Sequence, residues 1–511
     1  MTRTLATLLD DNARQAGGKV FLRTGDSATT YGDLSARSRR VAAALHARGL
    51  RAGDRVAIAA PNRVEWLEFF FGAVRLGLIV VTLNVRYRET ELDHMLNQSG
   101  TRLVLTARHA GETDLRAFYA GFRHRIPAVE VVVFLDGYAE FVSGATEDVP
   151  DADTGADTPA VILYTSGTTG VPKGAVLTHG GLIASTSAQV ERVAMTAEDV
   201  LLGLLPLNHV GGLTCNILAA MVAGAAVVMP SAFSPGGAVA AIAEQRLTIV
   251  GGVPTMWALM LAEPACAEID VSSLRVAIVG GSNAEPALCD AIAARFPGAR
   301  LTNLYGMSEL SGAAIMSAPT DTPEVVARTL GTALPGFEAR VVDPGGEPVE
   351  SGVDGQLQVR GPSAAAGYWD MPAETAEAFL PGGWVATGDI VTADGGHLAF
   401  RGRSKEMYLQ GGYNVYPVEI ENVLTGFPGI AMAAGIGVPD PVLGEIGRYY
   451  VVPRDPAAEL DQEEILAYCR ERLAGYKVPR QLLIVAELPM TPAGKIAKAV
   501  LRERISQDPA T

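Results

Sequence analysis

The sequence predicts a large α/β domain followed by a small α+β domain, and three observations carry that reading. Through the first 400 or so residues, short apolar runs ending in glycine or hydroxyl residues alternate with helical patterns. From about residue 335 the texture becomes turn-punctuated and strand-rich, as in LPGFEARVVDPGGEPVESGVDGQLQVRGP, which marks a small β-unit. After about residue 405 a compact mixture of strands and helices runs to about 505.

Each element has its own signal. The opening MTRTLATLLDDNARQ reads as a short amphipathic helix, so no secretory signal is expected. LSARSRRVAAALHARGL (34–50) is helical, and DRVAIAAPN (54–62) is the strand that follows. PAVILYTSG (159–167), RVAIVGG (275–281) and RLTNLYG (300–306) each read as a short buried strand. EPALCDAIAARF (285–296) spaces Leu288, Ile292 and Phe296 as a helix does. Strand, glycine-rich turn, helix, strand is the order of a mostly parallel sheet, in which ligands collect at the carboxyl ends of strands. Those three strand ends are therefore candidates for one common site. In the last hundred residues, strands are expected near 431–438 and 448–452, a helix over 462–474 and a final helix after PAGK. A domain boundary near 402–405 divides 1–403 from 404–511.

Composition narrows the partners. A chain of 511 residues exceeds one ordinary core, and 48% hydrophobic with 19% charged residues is globular. A net charge of −15 argues against a nucleic-acid partner but leaves room for a local basic groove. The longest apolar runs, such as LAAMVAGAAVVM (218–229), fall short of a membrane span. The four cysteines lie far apart with no C-x-x-C, which fits buried reduced thiols rather than disulfides or zinc. A cytoplasmic protein, monomer or homodimer, is expected.

The segment YTSGTTGVPKG (164–174) offers bare backbone N–H groups, hydroxyls and one lysine. After a strand, that combination makes an anion-binding concavity. It is not a Walker A loop, because Gly170 is followed by Val171-Pro172-Lys173-Gly174 rather than by Lys and Ser/Thr. Taken alone, the loop reads as a flexible surface segment. Five further segments change that reading: LPLNHVGG (205–212), NLYGMSE (303–309), GWVATGDI (383–390), GRSKEMYLQGGYNVYPVEIE (402–421) and PMTPAGK (489–495).

Together, in this order and at this spacing, the six segments closely resemble those of the adenylate-forming family of acyl-CoA synthetases, peptide-synthetase adenylation domains and luciferases, with acyl-CoA synthetases nearest. The resemblance implies an N-terminal domain of two α/β sheets plus a β-barrel and a small mobile C-terminal domain. It also implies a carboxylic acid and ATP reacting to acyl-AMP and pyrophosphate, and then transfer to the thiol of coenzyme A.

By that resemblance, Thr165, Ser166, Gly167, Thr168, Thr169, Gly170 and Lys173 wrap the phosphates, and Glu309 with Thr168 holds Mg²⁺. Asn303, Tyr305, Gly306, Ser308, Gly281 and Ser282 line the nucleotide, with the Tyr305 face against adenine. Asp389 accepts both ribose hydroxyls, Arg403 adds a second ribose contact, and Lys405 is the hinge. Lys495 bridges carboxylate and α-phosphate, where a fixed cation lowers the barrier as negative charge builds. After adenylation the C-terminal domain turns, withdrawing Lys495 and presenting Gly411, Gly412 and Tyr413 to the CoA arm. His209 gates the acyl pocket, which Gly211, Gly212, Thr214, Trp257, Gly280, Asn283, Met307 and Gly312 complete.

Five positions depart from the family pattern: Asn208, Ser308, Gln356, Tyr408 and Tyr413. The pocket segments carry no lysine or arginine for the far carboxylate of a dicarboxylic acid, and TIVGGVPTMW (248–257) has no carboxylate for an amino-acid ammonium. A hydrophobic fatty, aryl or bulky alicyclic acid is therefore expected. Four alternatives stay open: an acyl-AMP ligase loading a free-standing carrier protein, a relative with only one half-reaction intact, a luciferase-like oxygenase, and a non-catalytic nucleotide-binding relative. Lys495, Glu309 and Asp389 together speak against the last.

Overall fold

The computed structural model describes residues 3–143, 149–165, 171–282, 284–457, 459–490 and 496–507. It divides into two compact units. The first is Met1–Ala339 with Gln358–Ala386, and the second is Arg340–Leu357 with Thr387–Thr511. The boundary expected at 403/404 lies within the second unit.

The first unit holds two large sheets. The nine-stranded sheet runs in the order Thr332–Ala333, Gly312–Met316, Arg300–Met307, Val276–Gly280, Ile249–Gly252, Val200–Leu202, Ala226–Val228, Val20–Thr24, Ser27–Thr30. From Arg300–Met307 to Val20–Thr24 its strands are parallel, with antiparallel strands closing both sides. The six-stranded sheet orders Lys173–Thr178, Pro159–Thr165, Ile79–Thr82, Arg55–Ala59, Leu103–Thr106 and Val131–Phe134, all parallel but for the antiparallel edge Lys173–Thr178. Strands covered on both faces need continuous apolar runs, as in the fully buried Ile79–Thr82 and Leu103–Thr106.

Helices supply the cover. Val64–Arg75 is apolar nearly all round, and Trp66, Phe69, Phe70 and Phe71 are fully buried. The amphipathic opening segment forms Leu5–Ala16, capped reciprocally by Thr4 and Thr7, with Leu5, Leu8 and Leu9 in the core. Its first turn is pinned where Leu5 N–H donates to His179 Nδ1 at 3.2 Å. The helix expected at 34–50 forms at Tyr31–Ala47, starting three residues earlier because Thr30 and Asp33 make a capping box.

The three strands expected to converge do not share a sheet. Val276–Gly280 and Arg300–Met307 are neighbours in the nine-stranded sheet, whereas Pro159–Thr165 belongs to the six-stranded one. Alternation of strands and helices along a sequence says that sheets form, not how many.

In the second unit, Asp389–Asp394 pairs with His397–Arg403 in a hairpin across Gly395-Gly396, both left-handed, as a two-residue turn needs. Its open end sets Asp389 opposite Arg403. Farther on, Ile430–Asp440 pairs antiparallel with Gly444–Pro453, which Gln481–Ile484 joins in parallel and Tyr408–Gln410 in antiparallel fashion. Alternate residues face opposite ways. Ala433, Tyr449 and Val451 pack with Ile420, Leu424, Ile465 and Cys469, while Ala434, Ile436 and Val438 pack with Leu501 of the final helix Lys498–Gln507.

Candidate active site

Glycines shape the carboxyl end of the nine-stranded sheet. A Cβ on Gly280 would stand 2.5 Å from Leu304 O, and Gly281 turns at φ 80°. Gly281 and Ser282 are exposed there, and Asn283 lies outside the described residues. Arg300–Met307 carries Asn303, Tyr305, Gly306 and Met307, all half-buried. After the short turn Ser308–Leu310 the chain doubles back, pairing Met307 with Gly312. Gly306 admits no side chain, since its Cβ would lie 2.1 Å from Gly312 O. Gly312, at φ 134°, faces Thr214, whose Cγ2 would be 3.1 Å from an added Cβ. Thus Gly306, Met307, Gly312 and Thr214 come together as expected from the motifs. Asn303 is held structurally: its amide donates to Thr329 O at 3.0 Å.

The second group of residues sits on the edge of the six-stranded sheet. Thr165 and Lys173 face each other across the hairpin of Pro159–Thr165 and Lys173–Thr178. Ser166, Gly167, Thr168, Thr169 and Gly170 at its tip lie outside the described residues. Lys173 is buried, with its ammonium 5.1 Å from the centroid of the Tyr368 ring. The Tyr368 hydroxyl donates to Glu309 Oε1 at 2.8 Å. Burial, and next the Glu309 charge, push the Tyr368 phenol far above its ordinary pKa, so it stays protonated and donates.

Main-chain bonds stitch the segment around Tyr368 in place. Ala365 N–H donates to Glu309 O at 2.9 Å, Ala366 N–H to Val176 O at 2.9 Å, and Trp369 N–H to Gly174 O at 2.8 Å. Tyr368 thus joins the ends of two sheets, although sequence reasoning passed it over. Its one local signal is the aromatic pair Tyr368-Trp369 after Gly367, which lies at φ 128°.

Glu309 itself is buried and, among the described residues, has no basic group at ion-pair distance. A hard carboxylate held by one neutral donor fits Mg²⁺, which takes one or two carboxylates, several waters and substrate phosphates. No cluster of three or more His, Cys, Asp or Glu is present among the described residues, and such an ion would take its remaining ligands from water and nucleotide phosphates.

A third group surrounds His209. Asn62 clamps the preceding loop, donating to Leu205 O at 2.9 Å and accepting from Leu207 N–H at 3.0 Å. Asn208 presents its carbonyl toward the Thr82 hydroxyl at 3.4 Å, a contact its side chain does not determine. His209 is exposed, and its Nδ1 accepts from Gly211 N–H at 3.1 Å. Gly212 is obligatory, as its Cβ would meet Pro206 O at 2.1 Å. The helix then widens to π geometry over Leu213–Leu218, a feature frequent at functional sites.

Trp257 departs from expectation. It lies fully buried in the helix-side core with Val250, Ala277, Val279 and Phe296, its ring edge-on to Phe296 and its indole N–H donating to Ile278 O at 2.9 Å. It belongs to this core rather than to the group around Thr214 and Gly312. Position after a strand end does not determine which face of the sheet a helix covers.

In the second unit, Arg403 Nε lies 3.3 Å from Asp389 Oδ1, pairing an exposed guanidinium with a buried carboxylate. Asp389 N–H donates to Thr387 Oγ1 at 3.1 Å, and that hydroxyl donates to Leu357 O at 2.9 Å. Lys405 is exposed in the turn after Arg403, where Glu406 and Met407 N–H both donate to Arg403 O. Gly411 and Gly412, both left-handed, turn the next hairpin, and the exposed Tyr413 stacks on Tyr476 at 4.5 Å. Tyr408 is core: a Cβ on Gly437 or Gly447 would stand 2.5 or 2.2 Å from it, so glycines make its room. Lys495 lies outside the described residues. Three residues on, the half-buried Lys498 donates to Glu406 at 2.6 Å and lies 2.8 Å from Glu421.

Comparison with known proteins agrees over the whole length. The AMP-binding enzyme family matches residues 9–369, and the AMP-binding enzyme C-terminal domain matches 419–495. A feruloyl-CoA synthase of an Amycolatopsis species is 38% identical over 96% of this chain and 97% of its own. A methyl-dioxo-octahydroindenyl-propanoyl:CoA ligase of Rhodococcus jostii is 34% identical over 98% of both chains. A long-chain-fatty-acid–CoA ligase of Mycobacterium tuberculosis is 34% identical over 94% of both. Among solved structures, ATP-bound MatB from Rhodopseudomonas palustris superposes with a TM-score of 0.90 at 32% identity, covering both chains fully. The anthranilate CoA ligase AuaEII in complex with anthranoyl-AMP gives 0.91 at 26% identity, covering all of this chain and 98% of its own.

Proposed function

This chain belongs to the AMP-binding enzyme family, and from that premise we propose that it is an acyl-CoA synthetase for a hydrophobic carboxylic acid. The observation that carries the reading is the buried ammonium of Lys173 and the buried carboxylate of Glu309, held on one tyrosine where two sheets meet. The curated relatives act, by name, on feruloyl, alicyclic propanoyl and long-chain fatty acyl groups. The apolar pocket expected around Thr214, Gly280, Met307 and Gly312 would suit that range.

In the first half-reaction a carboxylate oxygen of the acid attacks the α-phosphorus of ATP. The bond from phosphorus to the bridging oxygen breaks, and pyrophosphate leaves with the electron pair. Lys173 and the loop from Thr165 hold the phosphates, Tyr305 and the Gly281–Ser282 turn take the adenosine, and Asp389 with Arg403 takes the ribose. Lys495 sits on the pentacoordinate phosphorus, where a fixed cation counts most. Mg²⁺, held through Glu309 with Thr168, would neutralise phosphate charge.

In the second half-reaction the CoA thiol, its proton given up to solvent, attacks the carbonyl carbon and AMP leaves. Residues 404–511 act as the mobile domain. They turn at Lys405, so that Lys495 retires and the Gly411-Gly412 turn with Tyr413 lines the passage of the pantetheine arm. His209 opens the way between that passage and the acyl pocket.

The deciding experiment supplies ATP, Mg²⁺, CoA and a panel of fatty, aryl and alicyclic acids, and follows pyrophosphate and thioester separately. Both products from at least one acid are expected. Pyrophosphate without thioester would transfer the second step to a carrier protein, and silence with every acid would overturn the synthetase reading.

A further inference from the structure

The two charges that share Tyr368 have a common support that the two half-reactions leave unused. It is the helix Glu89–Ser99, whose Leu92, Met95 and Leu96 pack with Ile162, Tyr164 and Val176 of the hairpin that carries Lys173. On the same helix, the half-buried His94 and Gln98 stand four residues apart and so share one face. Each reaches a main-chain carbonyl beside one of the two charges.

His94 Nε2 lies 2.9 Å from Pro172 O, the carbonyl joined to the Lys173 nitrogen. A carbonyl only accepts, so Nε2 carries the proton and donates. Pro172 lacks an N–H, which leaves that carbonyl as the one main-chain hydrogen-bonding group it offers. The His94 ring also meets Tyr164 edge-on, with centroids 6.1 Å apart.

Gln98 Nε2 donates to Trp369 O at 2.9 Å, one residue beyond Tyr368. Its Oε1 accepts from the Tyr164 hydroxyl at 2.6 Å. The amide cannot be turned round, since Trp369 O has no proton to give. Burial pushes the Tyr164 phenol above its ordinary pKa, so it keeps its proton and donates. Tyr164 in turn pairs with Gly174, next to Lys173, across the hairpin.

One helical turn therefore holds the residue before Lys173 and the residue after Tyr368. Trp369 N–H donates to Gly174 O, so the two held points are also tied to each other. Apolar packing alone would bury the hairpin but would leave its register soft. Directed hydrogen bonds fix the rotation of each strand end, and that rotation decides where the Lys173 ammonium stands relative to Tyr368 and Glu309. A misplacement of about 1 Å at a reacting centre costs roughly 10²-fold in rate.

We propose that His94 and Gln98 are positioning residues for adenylation, setting the place of the Lys173 ammonium against the Tyr368–Glu309 pair through the main chain beside each. The inference rests on the acyl-CoA synthetase reading and adds to it two residues that act without touching nucleotide or metal.

The test uses the full chain and an acid that the wild type activates. His94→Phe keeps the edge contact with Tyr164 but cannot donate to Pro172 O, whereas His94→Gln brings an N–H back to that reach. Gln98→Met keeps the length of the side chain and removes both of its hydrogen bonds. His94→Phe and Gln98→Met are each expected to lower kcat/KM for ATP in pyrophosphate release by roughly tenfold. KM for the acid, and thioester formation from supplied acyl-AMP, should stay close to wild type, and His94→Gln should recover most of the loss. Two variants on separate contacts keep the test decisive if one folds poorly. Equal losses in both half-reactions, or a loss that tracks the melting temperature and that His94→Gln does not recover, would make the two residues structural and overturn the inference. Full adenylation by both variants overturns it as well. Each of those results leaves the synthetase reading standing; that reading falls, and the inference with it, only if the wild type releases no pyrophosphate with any acid of the panel.

Discussion

Tyr368 and Glu309, 59 residues apart in sequence, meet hydroxyl to carboxylate at 2.8 Å, while the same tyrosine offers its ring face to Lys173. The phenol is a donor by necessity, since its raised pKa keeps the proton on oxygen. It therefore fixes a carboxylate proposed to hold the metal without competing for it.

Tyr368→Phe keeps the ring under Lys173 and removes the hydroxyl. A hydrogen bond to a charged group is worth about 1.5–3 kcal/mol, so adenylation should fall by about ten- to a hundredfold. The half-saturating Mg²⁺ concentration should rise in the same assay. A variant with unaltered Mg²⁺ dependence would reduce Tyr368 to a packing residue.

Lys495→Ala should cut pyrophosphate release by roughly 10²–10³. Thioester formation from supplied acyl-AMP should be nearly unaffected, because the proposed mechanism withdraws Lys495 in that step. Equal loss in both assays would deny Lys495 a role confined to the first step.

Asp389→Ala should weaken ATP more than it weakens 2′-deoxy-ATP, since only the former offers both ribose hydroxyls to the carboxylate. Comparing KM for the two nucleotides in wild type and variant isolates that contact. An unchanged ratio would mean that Asp389 serves only its neighbour Arg403.

Lys498→Met should destabilise the second unit by about 1–3 kcal/mol, because it strands the half-buried Glu421 carboxylate, while the more exposed Glu406 keeps part of its hydration. Burial opposes the Lys498 charge, but Glu421 and Glu406 outweigh it and hold its pKa above the ordinary value. Burial likewise raises the Glu421 carboxyl. Calorimetry should show one transition moving down and Lys498→Arg recovering part of the loss. A melting curve identical to wild type would contradict the pairing.

Burial lowers His179 from 6.5 to about 4. Below pH 6.5 the unfolded chain binds a proton that the folded protein refuses, so stability is fully present above that pH and drains away as pH falls toward about 4. The shift corresponds to about 3 kcal/mol. His179→Asn, which can still accept from Leu5 N–H, should flatten the decline of unfolding temperature between pH 7 and pH 5. A parallel decline in both proteins would place the acid sensitivity elsewhere.

Elements were legible in the sequence wherever a local period or a cap announced them, as for Leu5–Ala16 and Val276–Gly280. So were glycines that close approach makes obligatory, such as Gly306 against Gly312 O. What stayed hidden depends on pairing across sheets or on which face a residue joins. Tyr368 carries no local mark of a bond to Glu309, and Trp257 follows a strand end yet packs into the helix-side core. Tyr408, which read as a departure in the hinge segment, is matched by two glycines some thirty to forty residues away, Gly437 and Gly447.

Tyr368 touches the Lys173 ammonium with its ring and Glu309 Oε1 with its hydroxyl, so one side chain holds both charges. On the roles proposed for these two residues, ATP would meet the Glu309 carboxylate and a divalent cation would meet the Lys173 ammonium, so each ligand would remove a repulsion felt by the other. Nucleotide and metal affinities would then be linked, and by reciprocity each would raise the other by the same factor.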